Sequence, residues 1–320
     1  MTTLDQVRCG PGAVPLTGQQ YQIATGQYRA TVTELGAGLR ELLFRDQPVI
    51  AGDGPDELPP GGAGQLLAPW PNRIDGGRYA FGGKALHLAL SEPAHGNAIH
   101  GLTRWAAWRA VRLDASTVLL RAVPHGEQGY PFCLEIEAEY RLEEDTGLHV
   151  AVTAINRGSY PAPYGTGSHP YLTAGTPPVD GCELTLPAAS WLPTDDRGIP
   201  CAPPAAVEGT PYDFRKPRTI GATRLDHALT GLDRDGDGRA WAYLAAGGRA
   251  GARVGLWAGA GYRWLQVFTG DALTPDRRRK AVAIEPMTCP PNAFVTGDDL
   301  LVLQPDETAA HTWGIRAFND

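Results

Sequence analysis

An all-β fold, built as a single antiparallel β-sandwich, is what three features of this sequence predict. Leu134, Ile136, Ala138, Tyr140 and Leu142 alternate with Glu135, Glu137, Glu139 and Arg141. That period of two marks a strand with one face in a core and the other in water, which favours an antiparallel sheet. The 40 glycines and 28 prolines are scattered along the whole chain, cutting it into pieces suited to short strands and turns rather than long helices. No repeat of fixed period is visible, which disfavours propellers and solenoids. Of the 320 residues 42% are hydrophobic, enough for a large core, and no linker composition divides them. One domain over residues 1–320 is therefore expected.

Taken in chain order, the first element is the least clear. Leu35, Leu39, Leu42 and Leu43 have helical spacing, but Gly36 and Gly38 would each weaken a helix by about 1 kcal/mol. Two short strands around a glycine turn are expected instead. A strand over 117–123 precedes the alternating one, which ends at the polar stretch Glu143 to Gly147. Leu148, Val150, Val152 and Ala154 then alternate again, so the two runs read as a hairpin. Further strands are expected at 182–186, 254–257, 262–268, 281–284, 300–303 and 311–317.

Composition bounds the function. A net charge of -7 argues against a general nucleic-acid surface. The one dense basic run, Arg277-Arg278-Arg279-Lys280, reads either as a solvated loop or as a clamp for an anionic group. The five cysteines (Cys9, Cys133, Cys182, Cys201, Cys289) are odd in number and form no Cys-x-x-Cys, as for reduced thiols in a cytosol. Residues 1–26 lack the charged-then-apolar pattern of a signal peptide, and no run of about 18 apolar residues could span a membrane. A cytoplasmic protein, monomer or homodimer, is expected, with no membrane or nucleic-acid partner.

Three clusters carry the ionisable residues of interest. In Ala68-Pro69-Trp70-Pro71-Asn72-Arg73-Ile74 two prolines keep the chain extended, so Arg73 sits on a stiff, non-helical segment or simply caps a surface loop. In Asn97-Ala98-Ile99-His100-Gly101 the histidine before glycine suits a tight turn beside a cavity, or a structural hydrogen bond. His169 precedes Pro170 and Glu285 precedes Pro286. Proline cannot donate to a continuing ladder, so both residues are expected where a strand leaves its sheet and side chains can enter a cleft. Glu285 follows the apolar Ala281-Val282-Ala283-Ile284; burial there would raise its pKa, and a nearby cation would lower it. Asp226, in Leu225-Asp226-His227-Ala228-Leu229, reads by itself as an ordinary aspartate near a turn.

Two other patterns fail. Asp233-Arg234-Asp235-Gly236-Asp237-Gly238 looks like the start of a calcium loop, but its twelfth position is Leu244. The eight histidines show neither His-x-His nor His-Glu-x-x-His, so a metal centre lacks support.

In order and spacing, Pro71-Asn72-Arg73-Ile74, Asn97-Ala98-Ile99-His100-Gly101 and Gly167-Ser168-His169-Pro170-Tyr171-Leu172 resemble the aldose 1-epimerase (galactose mutarotase) family. Leu225-Asp226, Ile284-Glu285-Pro286-Met287 and Pro290-Pro291-Asn292-Ala293-Phe294 complete the likeness. It implies a β-supersandwich that interconverts the α and β anomers of a free monosaccharide without a cofactor. It further implies Glu285 as base on the anomeric hydroxyl and His169 as acid on the ring oxygen. His100 and Arg73 would polarise or orient oxygens, and Asn72, Asp226 and Tyr171 would help bind the sugar. A His⁺ and a carboxylate in one cleft are expected to favour each other's charged forms. Trp70, Trp105 and Tyr171 are candidate rings for the apolar face of a sugar. Pro170-Tyr171-Leu172 and Met287-Thr288-Cys289 depart from the usual galactose mutarotase pattern, so no galactose preference is implied.

Three alternatives stand beside this reading. One is an epimerase for a hexose 6-phosphate or other anionic sugar, with 277–280 as the only obvious source of cations. Those four residues are not all expected in the cleft. Another is a non-catalytic sugar-binding protein on the same fold. The third is a hydrolase with Glu285 and Asp226 as its two carboxylates.

Overall fold

The computed structural model describes residues 14–175, 178–247 and 252–318. Cys9 and the start of the N-terminal stretch lie outside them. Two large antiparallel sheets dominate. Nine strands form the first, in the order Arg109–Leu113, Thr117–Ala122, Leu134–Glu143, Gly147–Asn156, Thr308–Phe318, Arg253–Ala258, Ala240–Ala245, Glu183–Thr185 and Arg218–Thr219. Eight form the second: Ala205–Ala206, Ala188–Trp191, Asp226–Leu232, Trp264–Phe268, Val282–Met287, Gly167–Ser168 and Leu66–Leu67, with Tyr171–Leu172 also pairing on Val282–Met287.

The expected hairpin is present, Leu134 to Glu143 pairing with Asn156 to Gly147 in unbroken register. Its alternation is visible in burial: Leu134, Ile136, Ala138, Tyr140 and Leu142 are buried, while the glutamates between them lie in the solvated layer. The leucine-rich stretch with helical spacing forms two strands, Tyr28–Thr33 and Leu39–Phe44, around a turn in which Gly36 takes φ 68°. The remaining expected strands are found with ends shifted by a few residues; for example, 262–268 begins as a strand only at Trp264. One short α-helix, Ala293–Thr296, occurs among the described residues.

The two sheets share a single core. Ile136, Val152 and Leu256 from the first belong to one apolar cluster with Leu229, Leu265, Val267 and Ile284 from the second, the face-to-face packing of a sandwich. Two central strands of the second sheet, Trp264–Phe268 and Val282–Met287, are buried on both sides, and the period of two sorts their residues. Leu265, Val267, Val282 and Ile284 enter the core, so Trp264, Gln266, Ala283 and Glu285 look out from the opposite face. That second face carries the site. Leu256 is fully buried on a strand between Ala240–Ala245 and Thr308–Phe318. Leu256→Ala should cost about 2–5 kcal/mol of stability, read from chemical denaturation midpoints.

Glu285 corrects one expectation. It does not end a strand: Val282–Met287 continues through Pro286, which pairs with Leu265. The reason lies on the other edge. The Ile284 N–H donates to the Pro170 carbonyl, so two residues on, the missing N–H of Pro286 also faces that edge. The neighbouring chain is not a continuous strand there but breaks between Gly167–Ser168 and Tyr171–Leu172, so no ladder bond is lost. His169 lies in that break, as expected of a residue where a strand leaves its sheet. The calcium-loop look-alike is a polar turn in which Asp235 accepts the N–H groups of Asp237 and Arg239. No helix among the described residues is long and apolar enough to cross a membrane.

Candidate active site

His169 and Glu285 meet across the strand break. The pairing of Gly167 with Met287 and of Tyr171 with Ala283 brackets them, and His169 Nε2 lies 3.3 Å from Glu285 Oε1. Both are almost fully buried. Burial drives Glu285 well above the ordinary carboxylate range; the nearby Asp226 adds to this and Arg73 opposes it. Burial likewise pushes His169 down to about 3, helped by the charge of Arg104. Burial thus shifts both groups towards their uncharged forms, opposite to the expectation that the two would hold each other charged.

His100 supplies the third ring. It and Gly101 both have left-handed backbone, φ 63° and 68°, which turns the chain tightly enough to aim the imidazole edge-on at His169, centroids 5.4 Å apart. Its Nδ1 accepts the Asn72 N–H at 3.2 Å. Burial, together with the charges of His169, Arg104 and Arg73, holds His100 well below its usual pKa. A neutral ring accepting at Nδ1 carries its proton on Nε2, so His100 is a donor.

Asn72, buried with φ 53°, is a backbone turn whose side-chain oxygen accepts the Arg73 N–H at 2.9 Å. Arg73 pairs with Ile99 in the two-stranded ladder of Arg73–Asp75 and Asn97–Ile99. It forks onto Glu92, with Nε and Nη2 donating at 2.8 and 2.9 Å. Burial alone would lower its pKa, but Glu92, Asp226 and Glu285 outweigh that and raise it. Asp226 opens its strand at a partly solvated edge and accepts a 2.7 Å hydrogen bond from Gln266, the residue directly opposite Glu285. The seven expected site residues thus fall in one region.

The rings are less as expected. Tyr171 is buried and stacks on His169 at 5.0 Å and 17°, so it walls the histidine rather than offering an open platform. Trp70 is core, packed edge-on against Phe294 at 5.6 Å. Trp105 is 52% exposed.

Glu285 Oε2, His169 Nδ1, Gln266 Oε1 and the Tyr171 hydroxyl are all buried with no protein partner. Buried polar atoms without partners are unusual, and here four lie around the His169–Glu285 pair. Glu92, Gln266 and Arg104 went unnoticed in the sequence. Glu92 carries the signal used for His169 and Glu285, since it precedes Pro93; an uncharged glutamine within a strand carries none.

A model of the family "Aldose 1-epimerase" matches residues 19–316. The uncharacterised YihR protein of Escherichia coli K12 is 36% identical over 90% of both chains. Mouse galactose mutarotase is 29% identical, covering 73% of this chain and 70% of its own. Among solved structures, a GalM/aldose epimerase homologue from C. elegans superposes with a TM-score of 0.84 at 19% identity, over 94% of this chain and 99% of that one.

Proposed function

The chain belongs to the aldose 1-epimerase family of isomerases, and from that premise we propose that it interconverts the anomers of a free aldose with Glu285 as base and His169 as acid. The observation that supports this most is the 3.3 Å contact between the two. Mutarotation needs one proton removed from the anomeric hydroxyl and one delivered to the ring oxygen. Both oxygens hang on the same carbon, so the acid and base must be neighbours.

One proton on the pair is enough for the cycle. From the charged form of the pair, which burial makes the less stable one, Glu285 as carboxylate takes the hydroxyl proton while protonated His169 gives its own to the ring oxygen, and the C1–O5 bond breaks. The open-chain aldehyde then faces a protonated Glu285 and a neutral His169, the arrangement that burial favours. Rotation about C1–C2 presents the other face of the carbonyl, and the steps reverse. The pair holds one proton throughout, so no proton need come from solvent. His100, as a neutral donor, suits an oxygen of the sugar, while Arg73 and Asp226 suit its hydroxyls.

Polarimetry on freshly dissolved α-glucose and α-galactose tests the reading. Relaxation faster than the buffer rate is expected for at least one sugar; no acceleration by folded protein on any aldose tried would sink it. Glu92→Gln should loosen Arg73 and raise KM roughly tenfold, with a smaller effect on kcat, because a charge-assisted fork is weakened on a residue that orients the sugar. Initial-rate kinetics over a range of sugar concentrations would check this.

A further inference from the structure

Arg104 is a cation that the acid–base chemistry leaves unused. Its guanidinium is partly buried beside the histidines. A methyl group built on Gly62 would meet Arg104 Nη1 at 3.4 Å and His169 Cδ2 at 3.5 Å. Gly62, at φ 86°, thus keeps open a space bordered by both. Arg104 makes no side-chain hydrogen bond or ion pair among the described residues, and its guanidinium rests 5.1 Å from the ring of exposed Trp105.

The neighbouring cations are committed elsewhere. Arg73 is held by Glu92. Arg277 is paired with Asp53 and Glu57, and Arg279 with Asp180 and Asp271. Two of the four residues of the basic run 277–280 are therefore taken up by carboxylates. A guanidinium stays charged at any working pH, and the one carboxylate whose charge bears on Arg104, Glu92, is already forked by Arg73, so burial of the Arg104 charge is poorly compensated. That cost is offset when a ligand brings an anion.

The placement says which part of a sugar would carry it. The charge of Arg104 bears on His169 and His100, whereas Glu285 feels Asp226 and Arg73. Arg104 thus stands on the acid's side of the pair, away from the base. If His169 serves the ring oxygen, that side leads from the ring oxygen to C5 and its substituent C6. We propose that Arg104 receives an anionic group at C6, a carboxylate or a tetrahedral oxyanion, and that acidic aldoses are preferred over neutral hexoses. This rests on the reading of His169 and Glu285 given above.

Anomer exchange of glucose, glucuronate and glucose 6-phosphate, followed by NMR saturation transfer between the two anomeric protons, tests it. The glucuronate and phosphate arms separate a carboxylate site from a tetrahedral-oxyanion site. The wild type is expected to show kcat/KM at least tenfold higher for one acidic sugar than for glucose. Its KM for that sugar should rise with salt. Arg104→Gln should reduce the acidic-to-neutral ratio at least tenfold, and Arg104→Lys, which keeps the charge but not the fork, should retain part of it. Equal kcat/KM for all three sugars in the wild type overturns the proposal while leaving the acid–base pair standing. So does an acidic preference that survives in an Arg104→Gln variant whose circular dichroism shows it folded. If no sugar exchanges faster than in buffer, the reading of the pair fails and this inference falls with it.

Discussion

Glu285→Gln is expected to lower kcat for anomer exchange by roughly 10²–10⁴-fold, the usual contribution of a well-placed proton-transfer group. The amide keeps the shape of the carboxyl and its place opposite Gln266, but it cannot accept the hydroxyl proton. Stability should not fall with activity. Glu285 is 2% exposed, its Oε2 has no protein partner, and burial already favours its uncharged form. A neutral amide therefore replaces a group that the fold tolerates at a cost. NMR exchange kinetics beside a thermal melt would show both halves: rate lost, melting temperature held or raised. A variant that exchanges anomers at the wild-type rate would remove Glu285 from the chemistry and leave another base to be found.

Gly101→Ala is the second change with a large expected effect, and it acts through the backbone. Gly101 has φ 68°, a conformation that costs an L-residue about 1–2 kcal/mol. An added Cβ would also lie 2.1 Å from the Ala68 carbonyl oxygen and 2.9 Å from the Pro69 nitrogen. Those atoms cannot swing away. The Ala68 carbonyl accepts the N–H groups of Leu102 and Thr103 and the Thr103 hydroxyl, so the loop is pinned where the methyl would go. A loss on the order of 3–5 kcal/mol is expected, seen as a melting temperature lower by roughly 5–10 °C. Whatever folds should also lose activity, because relieving the clash displaces His100. A variant with unaltered melting and turnover would mean that this turn is not rigid.

Much of the sandwich was legible because its signals are local. The alternation from Leu134 to Leu142, the turn at Glu143 to Gly147 and the renewed alternation at Leu148 each concern residues a few positions apart, and the hairpin follows. The glycines at 36 and 38 decided against a helix for the same reason, since a single residue's backbone freedom is enough to weigh. The residue types of the site were legible too. His169, Glu285, His100, Arg73, Asn72, Asp226 and Tyr171 were singled out from the sequence, and the structure brings them to one face.

What local rules could not supply is everything that depends on a neighbour distant in sequence. Proline suggested a strand end at Pro286, yet the strand continues because the adjacent chain happens to break beside it. Trp70 lies next to the site in sequence but packs into the core with Phe294. The run 277–280 looked like the source of free cations, but Arg277 and Arg279 are consumed by carboxylates from other loops, and Arg104 is the one left beside His169. The direction of the pKa shifts at His169 and Glu285 was the deepest miss. Sequence shows that a histidine and a carboxylate are present, and proximity alone would charge both. Only the packed sheet removes the water around them, and desolvation then reverses the direction of both shifts. Strand period, turns and the chemical groups on hand follow from residues close together in the chain. The tertiary structure decided which groups touch and which are dry, because contact and burial are properties of the folded whole.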